Sequence, residues 1–150
     1  MYIHWDDRFL IGNALIDAEH RMLVFLFRKL DLAIKSGELE DSIRKILVEV
    51  RKFSEFHFIS EENLMREIGY PRLHEHEHLH SQLLSQLDVL IARLGRRKEF
   101  PDEILYFLNT WLMAHIGKED KPISQHILTT SHSPLGATAY AEYFPVLQES

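Results

Sequence analysis

Four stretches of this chain space their apolar residues in alternating steps of three and four, and every one of those stripes is interrupted by histidine. The first reads Ile16, His20, Leu23, Phe27, Leu30, Ile34, and the second Ile43, Leu47, Val50, Ser54, His57, Glu61, Leu64, Ile68. The third reads Leu73, His76, His80, Leu83, Leu87, Leu90, Leu94, and the fourth Ile104, Leu108, Trp111, His115. Such spacing puts each set on one face of an α-helix, and no stretch shows the sustained two-residue alternation of a strand. Punctuation fits. Asp17 is expected to cap the first helix, Ser36-Gly37 to end it, and Gly69 and Gly95 to stop the second and third. Pro71 suits the first turn of the third helix and Pro101 opens the fourth, which is expected to fade near Gly117 and stop before Pro122. Short connections join antiparallel neighbours, so the prediction is an all-α, up-down-up-down antiparallel four-helix bundle.

The chain's 150 residues, 45% of them hydrophobic, suit one domain with a sizeable core. Residues 1–122 are expected to form the bundle, its first fifteen or so (Trp5, Phe9, Leu10, Ile11) being an N-terminal arm packed across it. Residues 123–150 are expected to form a C-terminal extension without a helical stripe, not a separate domain. Within it, 129–136 is linker-like, and Tyr140, Tyr143 and Phe144 mark a short amphipathic piece. A net charge of −6 argues against nucleic acid, and the basic run Arg96, Arg97, Lys98 reads as a solvated loop. The absence of cysteine excludes disulfides, thiolate zinc sites, iron–sulfur clusters and thiol nucleophiles. With neither a signal-peptide pattern at Met1–Arg8 nor a run of 18 apolar residues, the expectation is a cytoplasmic protein with no membrane partner.

Histidine is the anomaly, ten in all with four between positions 74 and 80. A lone histidine on an apolar face is ordinarily a core residue bonded to a carbonyl. Here His20, His57, His76, His80 and His115 sit on four facing stripes, with Glu61 beside them, and the stripes offer almost no partners for so many buried polar groups. A metal centre satisfies them together. In the crowded stretch two i,i+4 pairs compete: His74 with His78 continues into Ser81, Ser85 and Asp88, a solvent face, whereas His76 with His80 continues into Leu83 and Leu87. His4, His126 and His132 lie off the stripes and carry no assigned role. His115 and Asp120, five apart, point about 140° away from each other on an ideal helix. Asp120 joins the centre only if the fourth helix unwinds or bulges near Gly117.

Imidazole and carboxylate without sulfur suit iron or manganese, and seven ligands exceed the four that one zinc ordinarily takes. The carboxylate-rich di-iron oxidases need Glu-x-x-His on two different helices; Glu75-x-x-His78 and Glu77-x-x-His80 share one helix, and neither glutamate is on its core stripe.

The motifs Ile16-Asp17-Ala18-Glu19-His20, His57-Phe58-Ile59-Ser60-Glu61-Glu62-Asn63-Leu64-Met65, Tyr70-Pro71 leading to His76-x-x-x-His80, and Trp111-Leu112-Met113-Ala114-His115-Ile116-Gly117-Lys118-Glu119-Asp120 closely resemble the hemerythrin family in its bacterial single-domain form. The likeness covers roughly residues 3 to 122. It implies two iron ions with an oxo or hydroxo bridge, one held by His76, His80 and His115, the other by His20 and His57, with Glu61 and Asp120 bridging. It implies reversible dioxygen binding at the second iron, in an apolar pocket lined by Trp111, Leu112 and Ile116, for oxygen storage, delivery or scavenging and not for catalysis. Two alternatives follow: a sensor of oxygen, redox state or nitric oxide with a protein partner at residues 123–150, and, further down, a di-iron oxidase or peroxidase.

The stripes themselves generate a test. His76→Ala or His80→Ala should lose bound metal, as read by metal analysis of the purified protein, whereas His74→Ala or His78→Ala should leave the metal content unchanged.

Overall fold

The computed structural model describes residues 4–94 and 101–129. Among them the chain runs through a short 3-10 turn, Asp7–Phe9, then α1 (Ala14–Lys35), α2 (Glu40–Glu67), α3 (Leu73–Arg93) and α4 (Pro101–Trp111). A π-helical segment, Leu112–Glu119, continues α4, and α5 (Lys121–Thr129) follows. There are no strands among the described residues. The fold is the all-α bundle expected from the stripes, whose residues are buried apart from the half-buried Ile34 and Leu73. The expected stop at Gly95, the basic run at 96–98, and the readings on His132 and on 130–150 lie outside the described residues.

Both glycine stops work through the same chemistry. Gly37 and Gly69 take positive φ values of 70° and 65°, conformations that cost glycine no Cβ clash. The next residue then bonds back to the last turn, Glu38 N–H to Ala33 O at 3.0 Å and Tyr70 N–H to Met65 O at 2.8 Å.

Three punctuation details differ from expectation. The cap of α1 is Asn13, still extended at φ −117° and ψ 122°, whose side chain accepts from Ile16 N–H. Asp17 lies inside the first turn instead, where its carboxylate accepts from Ile11 N–H at 2.7 Å and Gly12 N–H at 3.3 Å, pinning the N-terminal arm to the bundle. Pro71 stands in the turn before α3, which starts two residues later because the chain is still leaving the Gly69 cap. The helical stripe also does not end before Pro122. Proline is tolerated in the first turn of α5, where no intrahelical N–H is required, and Ile123 is fully buried with Ile127 packed beside it.

Apolar packing is divided in two. The larger cluster joins α1 through α4 around Leu23, Phe27, Leu47, Val50, Phe58, Leu83, Leu87, Leu108 and Trp111. A smaller one gathers Ile11, Ile16, Leu64, Met65, Ile68, Tyr70 and Ile123 at the bundle end closed by the arm and α5. The stripe histidines fall between the two. Their side chains form a polar layer sandwiched by apolar ones.

Because α5 supplies one wall of the smaller cluster, Ile123→Ala should destabilise the chain by about 2–5 kcal/mol, the usual range for truncating a fully buried aliphatic side chain. A denaturant midpoint equal to the parent's would show that α5 is not part of the folded unit.

Candidate metal centre

Antiparallel packing brings the interrupting residues of four helices to one level. α1 contributes His20, α2 His57 and Glu61, α3 His76 and His80, and the π-helical segment His115, with Asp120 just beyond it. All seven are buried. The π-helix is what admits Asp120. Its hydrogen bonds close five residues apart, as in Asp120 N–H to His115 O at 2.9 Å, so residues that diverge on an α-helix come onto one face.

The donor atoms converge. His76 Nε2 lies 2.8 Å from Glu61 Oε1 and 3.0 Å from Asp120 Oδ1, and His80 Nε2 is 3.1 Å from Glu61 Oε1. His115 Nε2 is 3.3 Å from Asp120 Oδ1. On the other side His57 Nε2 is 3.2 Å from Glu61 Oε2, and His20 Nε2 is 3.3 Å from Asp120 Oδ2 and 3.6 Å from Glu61 Oε2. Close as they are, Nε2 of His20, His57 and His115 and the second oxygens of Glu61 and Asp120 have no partner in hydrogen-bond geometry. Lone pairs that crowd together without bonding one another are what a cation-binding set presents.

Two such sets exist among the described residues, each with its donor atoms within 4.8 Å of one another. One comprises Glu61, His76, His80, His115 and Asp120; the other comprises His20, His57, Glu61 and Asp120. The carboxylates belong to both. Two adjacent ions fit this donor set.

Charge balance points the same way. Burial opposes a charge on His20 and His76, yet Asp120 and Glu61 outweigh it and push both imidazoles up to about 10. Burial would likewise raise Glu61, but contacts with His20, His57, His76 and His80 hold it well below the usual carboxylate range. Asp120 is lowered despite burial and the neighbouring Glu61. His115, which burial dominates, falls to about 4. Protons on imidazole balance these carboxylates in the metal-free chain, and metal cations would supply the same compensation.

Three outward-facing imidazole nitrogens are anchored by groups that sequence reasoning could not name. His20 Nδ1–H donates to Phe9 O at 2.7 Å, His57 Nδ1–H to Glu19 Oε1 at 2.7 Å, and His80 Nδ1–H to Glu62 Oε2 at 2.7 Å. These bonds fix the tautomer and turn each Nε2 inward. A backbone carbonyl from the arm leaves no mark in sequence. Glu19 and Glu62 each adjoin a stripe residue, and that adjacency was the available signal. Phe58 was also missed; it stacks on His80 at 4.0 Å and stands edge-on to His115 at 5.4 Å.

Trp111, Leu112 and Ile116 are buried in the larger apolar cluster, with the Trp111 ring 5.0 Å from Phe27 and 5.9 Å from Phe58. His74 and His78 are exposed. His126 bonds Ile68 O at 3.0 Å, anchoring α5 to the end of α2.

Comparison with known proteins agrees with the geometry. The family model of the hemerythrin HHE cation binding domain matches residues 11–126. The chain is 31% identical over 122 residues to a bacteriohemerythrin of Clostridium acetobutylicum, covering 78% of this chain and 95% of the relative. It is 28% identical over 123 residues to one from Stenotrophomonas maltophilia, covering 82% and 80%. A third, from Campylobacter jejuni, is 27% identical over 121 residues, covering 77% and 88%.

Removing an imidazole anchor should weaken metal retention while leaving the bundle folded. Glu19→Ala or Glu62→Ala is expected to lower metal affinity about 10–100-fold in competition with a chelator. Glu19→Gln, which keeps an acceptor for His57 Nδ1–H, should lose less; equal losses for both substitutions would count against the anchoring role.

Proposed function

This chain belongs to the hemerythrin family, and from that premise we propose that it binds dioxygen reversibly at a pair of non-haem iron ions. The observation that carries the reading is the asymmetry of the two donor sets, five protein donors against four with Glu61 and Asp120 common to both. His76, His80 and His115 would hold one iron and His20 and His57 the other, with the Glu61 and Asp120 carboxylates available to both. The smaller set, with one protein donor fewer, would leave room for an outside ligand. Nitrogen and oxygen donors with no sulfur suit iron of this type.

When bound, the iron pair supplies the electrons that dioxygen takes up and returns on release. The chain's residues do the rest. Nε2 atoms of five neutral imidazoles face the ions, and only two carboxylates contribute negative charge, a weaker push toward O–O cleavage than a carboxylate-rich site gives. The Phe9 carbonyl, Glu19 and Glu62 hold imidazoles in register. Trp111, Leu112 and Ile116, all buried, keep water and stray protons from the pocket. Storage, delivery or scavenging of oxygen fits such a site, and no turnover is required of it.

A second reading, oxygen or redox sensing, is favoured by one feature. Asp120 leads directly into α5, and α5 is locked to the bundle by Ile123 and His126, so a change at the centre has a short mechanical path toward residues 130–150. A protein partner there would read the state of the centre. No helix among the described residues is long and apolar enough to cross a membrane.

An optical titration from anaerobic to aerobic conditions, with metal analysis of the same sample, tests the proposal. Two irons per chain and one dioxygen taken up and released are expected. Fewer irons, an oxygenated spectrum that does not reverse, or steady consumption of a reductant with dioxygen would falsify it.

A further inference from the structure

The larger apolar cluster begins one helical turn beyond the metal layer, and that turn is not wholly apolar. Since α1 and α3 run opposite to α2 and α4, the residue three after a histidine on the first two lies level with the residue three or four before one on the others. The rise is about 4.5–6 Å. Leu23 on α1 and Leu83 on α3 therefore share a layer with Ser54 on α2 and with Trp111 and Leu112 on α4. Ser54 is 0% exposed, and its hydroxyl has no hydrogen-bond partner. A serine inside a helix ordinarily turns its hydroxyl back to a carbonyl of the preceding turn, but this one does not.

Position makes the orphan informative. On α2, Ser54 points within about 20° of Glu61 and about 60° of His57, toward the axis where both ions would lie. The five-donor side is already roofed, because Phe58 stacks on His80 and stands edge-on to His115 and Trp111. From α2, the layer above His20 and His57 is met by the half-buried Phe53, four residues before His57, and by the fully buried Ser54, the polar side chain of the two. A buried hydroxyl left unbonded is costly, so its retention at this point calls for an acceptor that arrives from outside the chain.

We propose that the Ser54 hydroxyl donates a hydrogen bond to the small ligand held on the His20–His57 side of the centre. The inference rests on the di-iron reading above and adds to it a hydroxyl contact inside a largely apolar pocket. Ligands with an acceptor atom at their free end, dioxygen or a small anion, gain from it. Ligands without one do not.

Azide, with an acceptor at its free end, is the probe. In the full-length, iron-loaded, oxidised protein, Ser54→Ala should keep two irons per chain, weaken azide binding about tenfold and speed its dissociation correspondingly. The infrared stretch of bound azide should shift on transfer to D2O in the parent and lose that sensitivity in Ser54→Ala, while Ser54→Thr, which keeps the hydroxyl, retains it. The thermal midpoint of metal-free Ser54→Ala should not fall, since the hydroxyl bonds nothing in the chain. An azide affinity and band unchanged by Ser54→Ala, or a parent band indifferent to D2O, overturns the proposal while leaving reversible oxygenation intact. A fall in metal-free stability with unchanged azide binding makes Ser54 a structural residue and overturns it too. If the parent chain does not take up two irons, the di-iron reading fails first and this inference with it.

Discussion

Five imidazoles and two carboxylates occupy one dry layer of the bundle, and the rest of the molecule is organised around the cost of keeping them there. An isolated ionised group so far from water would shift its pKa and neutralise itself. Here the groups compensate one another in part, with His20, His57 and His76 raised and Glu61 and Asp120 lowered. Nε2 of His20, His57 and His115 and one oxygen each of Glu61 and Asp120 nevertheless remain without hydrogen bonds. A structure that holds such atoms together has to be stable for other reasons, and the two apolar clusters on either side supply them. The larger makes the four-helix bundle. The smaller seals the end where the layer would otherwise meet solvent.

That sealing explains the chain's least regular parts. The N-terminal arm is tied down by Asp17 and returns a carbonyl to His20. After Asp120, the chain re-enters a helix whose Ile123 completes the smaller cluster. The π-helical segment between them belongs to a rare helix class, and it occurs where an α-helix would turn Asp120 away from the other donors. Irregular backbone is thus concentrated at the candidate centre, with regular helices holding it from three sides.

Much of this was legible in sequence because helical periodicity is a one-dimensional signal. The alternating steps of three and four separate His76 and His80 from His74 and His78 by which neighbours each pair lines up with, and the structure buries the first pair and exposes the second. Periodicity failed wherever the local geometry departs from an ideal helix. It could not place Asp120, whose position depends on hydrogen bonds five residues apart. It ended the helical stripe before Ile123, because proline at 122 looks like a stop when it is the first turn of a new helix. It took Asp17 for a cap, since a carboxylate near a helix start can serve either the helix or the chain preceding it.

The sequence alone determined the bundle, its antiparallel order and the set of core positions carrying histidine and glutamate, because a 3.6-residue repeat converts spacing directly into facing. Periodicity left open how those side chains divide, a division that only the family resemblance implied; the tertiary structure groups them into a five-donor and a four-donor set that share Glu61 and Asp120. It also decided which carbonyl or carboxylate anchors the outward nitrogens of His20, His57 and His80, and that the Ser54 hydroxyl is left unbonded beside them. Those facts depend on distances between residues up to about a hundred positions apart. Such distances are fixed by how helices pack, and no local pattern encodes them.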